Sequence, residues 1–189
     1  MSHQLSKGDT IIELVLAFAI FSMCAVTTIM ILNKGVAVSQ RSLEKSLVRQ
    51  QIDSQSEIIR YLHDTDNPKW DELKTMVTVN PLPLAGACPS IGSLGGGAHG
   101  FFVTPDDVDT DGFVIKKAVS PQYSLPTIHA KIDYDAQKSA GIWVQVTKAE
   151  NKGGNPLLDA YDFYIHGCWD SVGLNVPMTV GTIVRVYGN

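Results

Sequence analysis

The feature that most constrains this chain is an apolar run close to its N-terminus. Residues 14–32, nineteen in all, carry no charge. At about 1.5 Å rise per residue, a helix of this length nearly spans the hydrocarbon core of a bilayer. A cleaved secretory signal has an apolar core of roughly 7–15 residues followed by a small-residue cleavage site. Asn33-Lys34-Gly35 has no such character, so the sequence favours a retained membrane helix.

The segment ahead of the run carries the most specific motif of the chain. Lys7-Gly8-Asp9-Thr10-Ile11-Ile12-Glu13 leads directly into the apolar residues. It resembles the prepilin cleavage and methylation motif of type IV pilins and pseudopilins, in which a short basic leader ends in Gly and a Thr-x-Ile-Glu-Leu stretch opens the helix. The resemblance implies cleavage between Gly8 and Asp9, with Thr10 and Glu13 as the second and fifth mature residues. The first mature residue of the family is usually apolar, and here it is Asp9.

Glu13 has two predicted roles. A carboxylate at the N-terminal end of a membrane helix needs a compensating interaction, since its burial at the bilayer centre costs roughly 2.5–3.5 kcal/mol on insertion scales. Thr10 and Glu13 fit a capping box, in which the two side chains cap the helix N-terminus. The family resemblance implies instead that Glu13 pairs with the N-terminal amine of a neighbouring subunit. The two roles are compatible.

The predicted organisation has four parts. Residues 1–8 are a leader, 9–33 a transmembrane or filament-core half-helix, 34–63 an amphipathic half-helix, and 64–189 an exported head. Such a short leader stays in the cytoplasm, so the C-terminal part is exported. The resemblance therefore implies a single-pass precursor in the cytoplasmic membrane and an extracellular filament after assembly.

Apolar residues continue at helical spacing beyond the run. Val36, Leu43, Leu47, Ile58 and Leu62 fall within about 100° of a helical wheel, and Val48, Ile52 and Ile59 widen this stripe. We expect the stripe to be covered by the head. Because glycine weakens a helix by about 1 kcal/mol relative to alanine, an alternative is that one helix ends near Gly35 and another begins.

The remainder predicts an α+β fold, with the long helix packed on an antiparallel sheet in sequence order. Asn67 and Pro68 open a short helix that reaches about Met76. Residues 86–100, rich in Gly and Ser, are predicted to be a loop. Strands are predicted at 101–104, 113–119, 127–135, 141–149, 161–169 and 179–187, with a hairpin joining the third to the fourth and a turn at 151–156.

Three cysteines divide between the two parts of the chain. Cys24 lies within the apolar run and is expected to behave as a small buried hydrophobe. Cys88 and Cys168 lie in the head, where an oxidising exterior would let them form a disulfide.

An acidic segment resembles the start of a calcium loop. Asp107, Asp109 and Asp111 stand at the spacing of the first, third and fifth ligands, and Phe113 would supply a carbonyl. The twelfth position, normally a bidentate Glu, is Ala118. An acidic turn before a strand is the alternative, and calcium is the one cofactor that the sequence suggests.

The predicted function is structural. No Gly-x-Ser-x-Gly or His-Glu-x-x-His motif points to an enzyme, and the net charge of −4 disfavours nucleic-acid binding. The resemblance implies a pilin or pseudopilin, with prepilin peptidase, related filament subunits and an inner-membrane assembly platform as partners. The alternative is a single-pass anchored binding domain, such as an adhesin or calcium-binding receptor, that does not polymerise.

Overall fold

The structure is a computed structural model that describes residues 9–83, 86–96, 99–106, 112–149 and 159–188. Its contacts divide the chain into two compact units, Met1–Arg41 and Ser42–Asn189. The second unit, referred to below as the head unit, includes the end of the long helix and all of the strands. The helices and strands are α1 (Asp9–Asp64), α2 (Pro68–Thr75), α3 (Ile91–Gly95), β1 (Phe101–Pro105), β2 (Phe113–Lys117), β3 (Tyr123–Ser124), β4 (Lys131–Asp133), β5 (Lys138–Ala140), β6 (Ile142–Ala149), β7 (Ala160–Trp169) and β8 (Met178–Tyr187).

Helix α1 continues through Gly35 without a break. The alternative of two helices divided at residues 33–35 is therefore wrong. A single glycine costs only about 1 kcal/mol in a helix, and Leu32, Lys34 and Ala37 close to it are strong helix formers. α2 begins at Pro68, after an Asn67 side chain that accepts a hydrogen bond from the Lys69 amide, as predicted for an N-cap.

The α+β arrangement is confirmed, because the end of α1 packs on an antiparallel five-stranded sheet. The strand order is β2-β1-β6-β7-β8, and the ladders between β6, β7 and β8 pair eight and ten residues. Side chains of α1 and of the facing strands form one core, together with Trp70 and Leu73 of α2. Gly167 of β7 lies under α1, where a Cβ atom would come within 2.8 Å of Val48. The absent side chain lets helix and sheet approach closely.

The buried face of α1 differs from the predicted stripe. Val48, Ile52, Ile59 and Leu62 are buried, as expected, but Val36, Leu43 and Leu47 are exposed. The packed face is rotated by roughly a quarter turn of the wheel. The reason is that Glu44 and Gln55, both polar, occupy the centre of that face and are hydrogen-bonded in the core. Counting aliphatic residues alone therefore places the stripe wrongly.

The opposite face of the sheet is covered by a smaller core. Leu94 of α3 packs there with Ala118, Tyr123, Trp143 and Cys168. Helix α3 lies inside the segment predicted to be a loop. Its N-cap is Ser90, whose hydroxyl accepts a hydrogen bond from the Ser93 amide. The glycine-rich composition of the segment hid this short helix.

The strand predictions are confirmed for β1, β2, β6, β7 and β8, but one predicted hairpin is wrong. β4 pairs with β5 rather than with β6, in a separate sheet of order β3-β5-β4. Gly141, with a φ of +69°, separates β5 from β6 and lets the chain turn where a side chain would be strained. β6 then pairs with β7 and also with β1, so the main sheet does not follow sequence order. The predicted turn at 151–156 lies outside the described residues.

Candidate functional site

The N-terminal part of α1 is a continuous apolar surface. Its large side chains are more than half exposed, among them Ile11, Phe18, Phe21, Met23, Ile29 and Leu32. Among the described residues, α1 is the helix long and apolar enough to cross a membrane by its length and composition. Exposed apolar patches beyond a few hundred Å² mark interaction surfaces in soluble proteins. A surface of this kind is suited to contact with lipid or with other apolar side chains.

Glu13 lies within this surface. Its side chain is exposed, and it is the only acidic residue between Thr10 and Leu43. Gly8 lies outside the described residues, and so do the side chains of Asp9 and Thr10. The capping-box hydrogen bond and the cleavage site therefore stay predictions.

Cys24 is a free, exposed thiol, contrary to the expectation of a buried hydrophobe. Met23 beside it is exposed as well, whereas Ala25 is half-buried.

A buried carboxylate links the C-terminal half of α1 to the end of β7 and the residues that follow it. Glu44 is 4% exposed, and its Oε2 accepts hydrogen bonds from Trp169 Nε1 at 3.1 Å and from Ser171 Oγ at 2.5 Å. A buried carboxylate is costly unless hydrogen bonds satisfy it. Nothing in the sequence distinguishes this residue, since an acid among apolar helix positions resembles an ordinary solvent-facing one.

A second polar contact links α1 to strand β1. The fully buried side-chain amide of Gln55 bonds to the main chain of Val103, as Nε2 to O at 2.8 Å and N to Oε1 at 2.9 Å. β1 pairs with β6 only at Phe101 and Val144. Beyond that point the side chain of Gln55 takes up the main-chain hydrogen bonds of β1 at Val103. On β6, Val77 forms a β-bridge with Val146, and the Thr78 amide donates a hydrogen bond to the Val146 carbonyl. α1 and the segment after α2 thus fill the gap where the two strands separate.

The predicted disulfide is present. Cys88 and Cys168 are bonded, with Cα atoms 5.5 Å apart and eighty positions apart in sequence. The bond attaches the segment before α3 to the end of β7, and Cys168 is fully buried in the smaller core. The disulfide therefore ties the segment before α3 to the sheet face on which the smaller core lies.

The acidic segment connects β1 to β2 in sequence. Asp107, Asp109 and Asp111 lie outside the described residues, whereas their flanks are described: the Asp106 amide donates to the Gly112 carbonyl at 3.0 Å. Phe113 begins β2, opposite Pro105. Ala118, at the twelfth position, is fully buried in the smaller core, and its methyl side chain has no oxygen that could serve as a ligand. Among the described residues, no group of three His, Cys, Asp or Glu side chains is arranged to hold a metal.

One histidine of the sheet has an altered pKa. His166 of β7 lies between the rings of Trp143 and Tyr164, at centroid distances of 5.4 and 6.2 Å, opposite Gly181 of β8. Burial lowers the pKa of His166 to about 4, since a desolvated imidazole resists protonation. Its Nδ1 atom is buried and has no hydrogen-bond partner among the described residues. This arrangement is better suited to packing than to acid–base chemistry.

No family model, curated protein or solved structure matches this chain.

Proposed function

We propose that this chain is a structural subunit of a type IV pilus-like filament, a pilin or pseudopilin. The observation that carries the proposal is the continuous exposed apolar surface of α1, which follows directly after the motif Lys7-Gly8-Asp9-Thr10-Ile11-Ile12-Glu13. A helix that first anchors a precursor in the membrane and later packs among equivalent helices needs such a surface in both states. The folded head at its other end is what such a filament would display.

The proposed sequence of events begins in the cytoplasmic membrane. Prepilin peptidase cuts after Gly8 on the cytoplasmic side and leaves the apolar helix as the anchor. An inner-membrane assembly platform then moves the subunit into a growing filament, where apolar helices replace lipid as the cover of residues 11–32. Glu13 provides a negative charge near the new α-amino group of an incoming neighbour.

The two cores and the disulfide of the head unit are consistent with a display role. The head unit packs a core on both sheet faces and carries a disulfide, which favours an oxidising exterior. A single-pass anchored adhesin or calcium-binding domain would share the anchor and the head, but it would not require cleavage at Gly8 or a charge at Glu13.

Intact-mass analysis of native protein tests the proposal directly. We expect a mature chain that begins at Asp9 and keeps the apolar helix, recovered both from the membrane and from sheared surface filaments. Gly8→Ala is the processing variant, and we expect it to accumulate as an uncut precursor that is absent from filaments. A chain that lacks everything up to Gly35, or an uncut chain in filaments, would contradict the proposal.

A further inference from the structure

Strand β8 is an edge of the main sheet and is paired on one side only. Its residues, Met178–Tyr187, pair with β7 in one continuous register, and no other strand among the described residues pairs with it. Ten residues are long for an edge strand, since the mean strand has about 5–6. β8 therefore presents a long row of main-chain groups to which a further strand can add.

The register of the β7–β8 ladder shows which main-chain groups point away from β7. The Gly188 amide donates to the Asp159 carbonyl at 3.0 Å, in the same register as the strand pairs. Because hydrogen-bonded and non-hydrogen-bonded pairs alternate in an antiparallel ladder, the even-numbered residues of β8 bond to β7. The odd-numbered residues direct their N–H and C=O groups to the free edge; they are Thr179, Gly181, Ile183, Arg185 and Tyr187.

One end of this edge is already occupied. His63 Nε2 of α1 lies 3.1 Å from the Tyr187 carbonyl oxygen, to which it donates a hydrogen bond. The contact agrees with the outward direction of the odd-numbered residues. Within residues 179–185, no outward main-chain group is hydrogen-bonded to another described residue. This segment is therefore the open part of the edge.

β8 lacks the features that usually keep an edge strand from pairing with another copy of its chain. Such features are proline, a β-bulge or a charged side chain directed to the edge. Residues 178–187 contain no proline, and the continuous register leaves no bulge. Arg185 is the only charged residue of the strand, and its guanidinium makes two hydrogen bonds of 2.6 Å with Asp162 of β7. Its charge is thus neutralised and held over β7.

A second copy of the chain matches this edge under a two-fold axis that passes beside Thr182. The antiparallel pairs would be Thr179 with Arg185, Val180 with Val184, Gly181 with Ile183, and Thr182 with its own equivalent. Four outward residues in each copy, with one N–H and one C=O each, make eight hydrogen bonds across the contact. The valine and threonine pairs add cross-strand contacts of the kind that stabilises sheets.

Charge does not oppose this pairing. The Arg185 residues of the two copies would stand at opposite ends of the ladder, six positions apart. At about 3.3 Å per residue this separation is roughly 20 Å, beyond the screening length of about 8 Å at physiological salt. Residues 178–184 carry no charge with which to select an oppositely charged strand. Self-complementarity without repulsion therefore favours a second copy as the partner.

We propose that β8 is a homotypic docking site, at which residues 179–185 pair antiparallel with the same residues of a second copy. The two five-stranded sheets then form one continuous sheet across the two heads. The contact is made between heads by main-chain groups, and it does not rest on the proposed function.

A site-specific disulfide tests the inference in the full-length chain. Thr182→Cys is made with Cys24→Ser as background and the Cys88–Cys168 disulfide intact. In the proposed pair the two side chains at position 182 form a non-hydrogen-bonded pair, with Cβ atoms about 4.5–5.5 Å apart, close enough for a disulfide to form. Thr179→Cys is the matched control, because the two equivalents of this threonine on the same strand would be about 20 Å apart.

Both proteins are oxidised mildly in detergent micelles, and the covalent dimer is measured on non-reducing gels. We expect the yield at position 182 to exceed the yield at position 179 at least fivefold. Ile183→Lys, added to Thr182→Cys, should abolish the cross-link, because the lysines of the two copies would lie at diagonal positions of the ladder. Ile183 is 59% exposed, so this variant should keep the thermal unfolding curve of its parent.

Equal yields at positions 182 and 179 would indicate random collision or association through α1 alone, and would overturn the inference. The absence of a dimer at position 182 would also overturn it and leave the edge to solvent or to a strand of another protein. A cross-link that Ile183→Lys leaves unchanged in a folded head would show that the dimer does not form through β8.

Discussion

The side-chain amide of Gln55 hydrogen-bonds to both main-chain groups of Val103, and so takes the place of a neighbouring strand along β1. An amide is the one side-chain group that offers a donor and an acceptor at the spacing of a peptide unit. The helix is therefore attached to the sheet by a contact of β-ladder type as well as by apolar packing.

Gln55→Met is predicted to destabilise the head strongly. Methionine keeps the length and the helix propensity of glutamine but leaves the N–H and C=O of Val103 buried without partners, at about 1–3 kcal/mol for each group. The free energy of unfolding in urea measures the loss. Gln50→Met, at an exposed position of the same helix, should change it by less than about 0.5 kcal/mol. Equal effects of the two changes would show that the contact with Val103 contributes nothing.

Loss of the disulfide is predicted to lower stability by about 4–5 kcal/mol in the chain-entropy model, because the bond closes a loop of eighty positions. The Cys88→Ser and Cys168→Ala double variant removes the bond without leaving a thiol in the head. Thermal unfolding with and without reductant should then differ for the natural chain and coincide for the variant. A reductant effect of the same size on both proteins would contradict this role.

The charge of Glu13 is predicted to matter for assembly and not for folding. Glu13→Gln keeps the size and the capping ability of the side chain but removes its charge. We expect normal membrane levels and a normal head, with poor recovery in filaments. Because the Asp9 carboxylate lies beside the same amine in sequence, Asp9→Asn with Glu13→Gln should be worse than Glu13→Gln alone. Filament yield relative to the membrane pool is the measurement, and normal yields from both variants would leave Glu13 as a helix cap.

His166 predicts a pH dependence of stability. Its pKa falls from 6.5 in the unfolded chain to about 4 in the fold, so between these values only the unfolded chain binds the proton. The free energy of unfolding therefore decreases as the pH falls from about 6.5 to about 4, and this contribution is fully lost below that range. At about 1.4 kcal/mol per pKa unit, discounted by half because the ring is partly in contact with solvent, the loss is roughly 1–2 kcal/mol.

His166→Gln should reduce this slope, since glutamine does not titrate. Urea unfolding at several pH values between 4 and 7 measures it, and His99→Gln, at an exposed position, is the matched control. Identical slopes in the natural chain and the His166→Gln variant would assign the pH dependence to other groups.

The acidic segment after β1 gives a conditional prediction. If Asp107, Asp109 and Asp111 bind calcium together with the Phe113 carbonyl, millimolar calcium should raise the melting temperature of the head, because a ligand of the folded state stabilises that state. Asp109→Asn with Asp111→Asn should abolish the shift, and magnesium should not replace calcium. Without a shift in the natural chain, the segment is an acidic turn.

The main elements could be predicted from sequence where a periodic pattern is long or a turn signal is strong. The apolar run, the α2 N-cap at Asn67 and the last two strands are of this kind. The packed face of α1 could not be predicted, since it is centred on Glu44 and Gln55, whose partners Trp169, Ser171 and Val103 are distant in sequence. β5 and α3 could not be predicted, because a few residues beside glycine carry too little pattern to identify an element.

Three attachments meet at the end of β7. Trp169 is bonded to Glu44 of α1, Cys168 is bonded to Cys88, and the Cys168 amide donates to the Gly141 carbonyl at 2.7 Å. β7 is also paired along its length with β6 on one side and β8 on the other. Tension transmitted through Glu44 therefore reaches a strand that cannot be separated by opening a single ladder. In the proposed filament subunit, which would be held by its helix, this bracing of β7 is expected to resist a pull along α1.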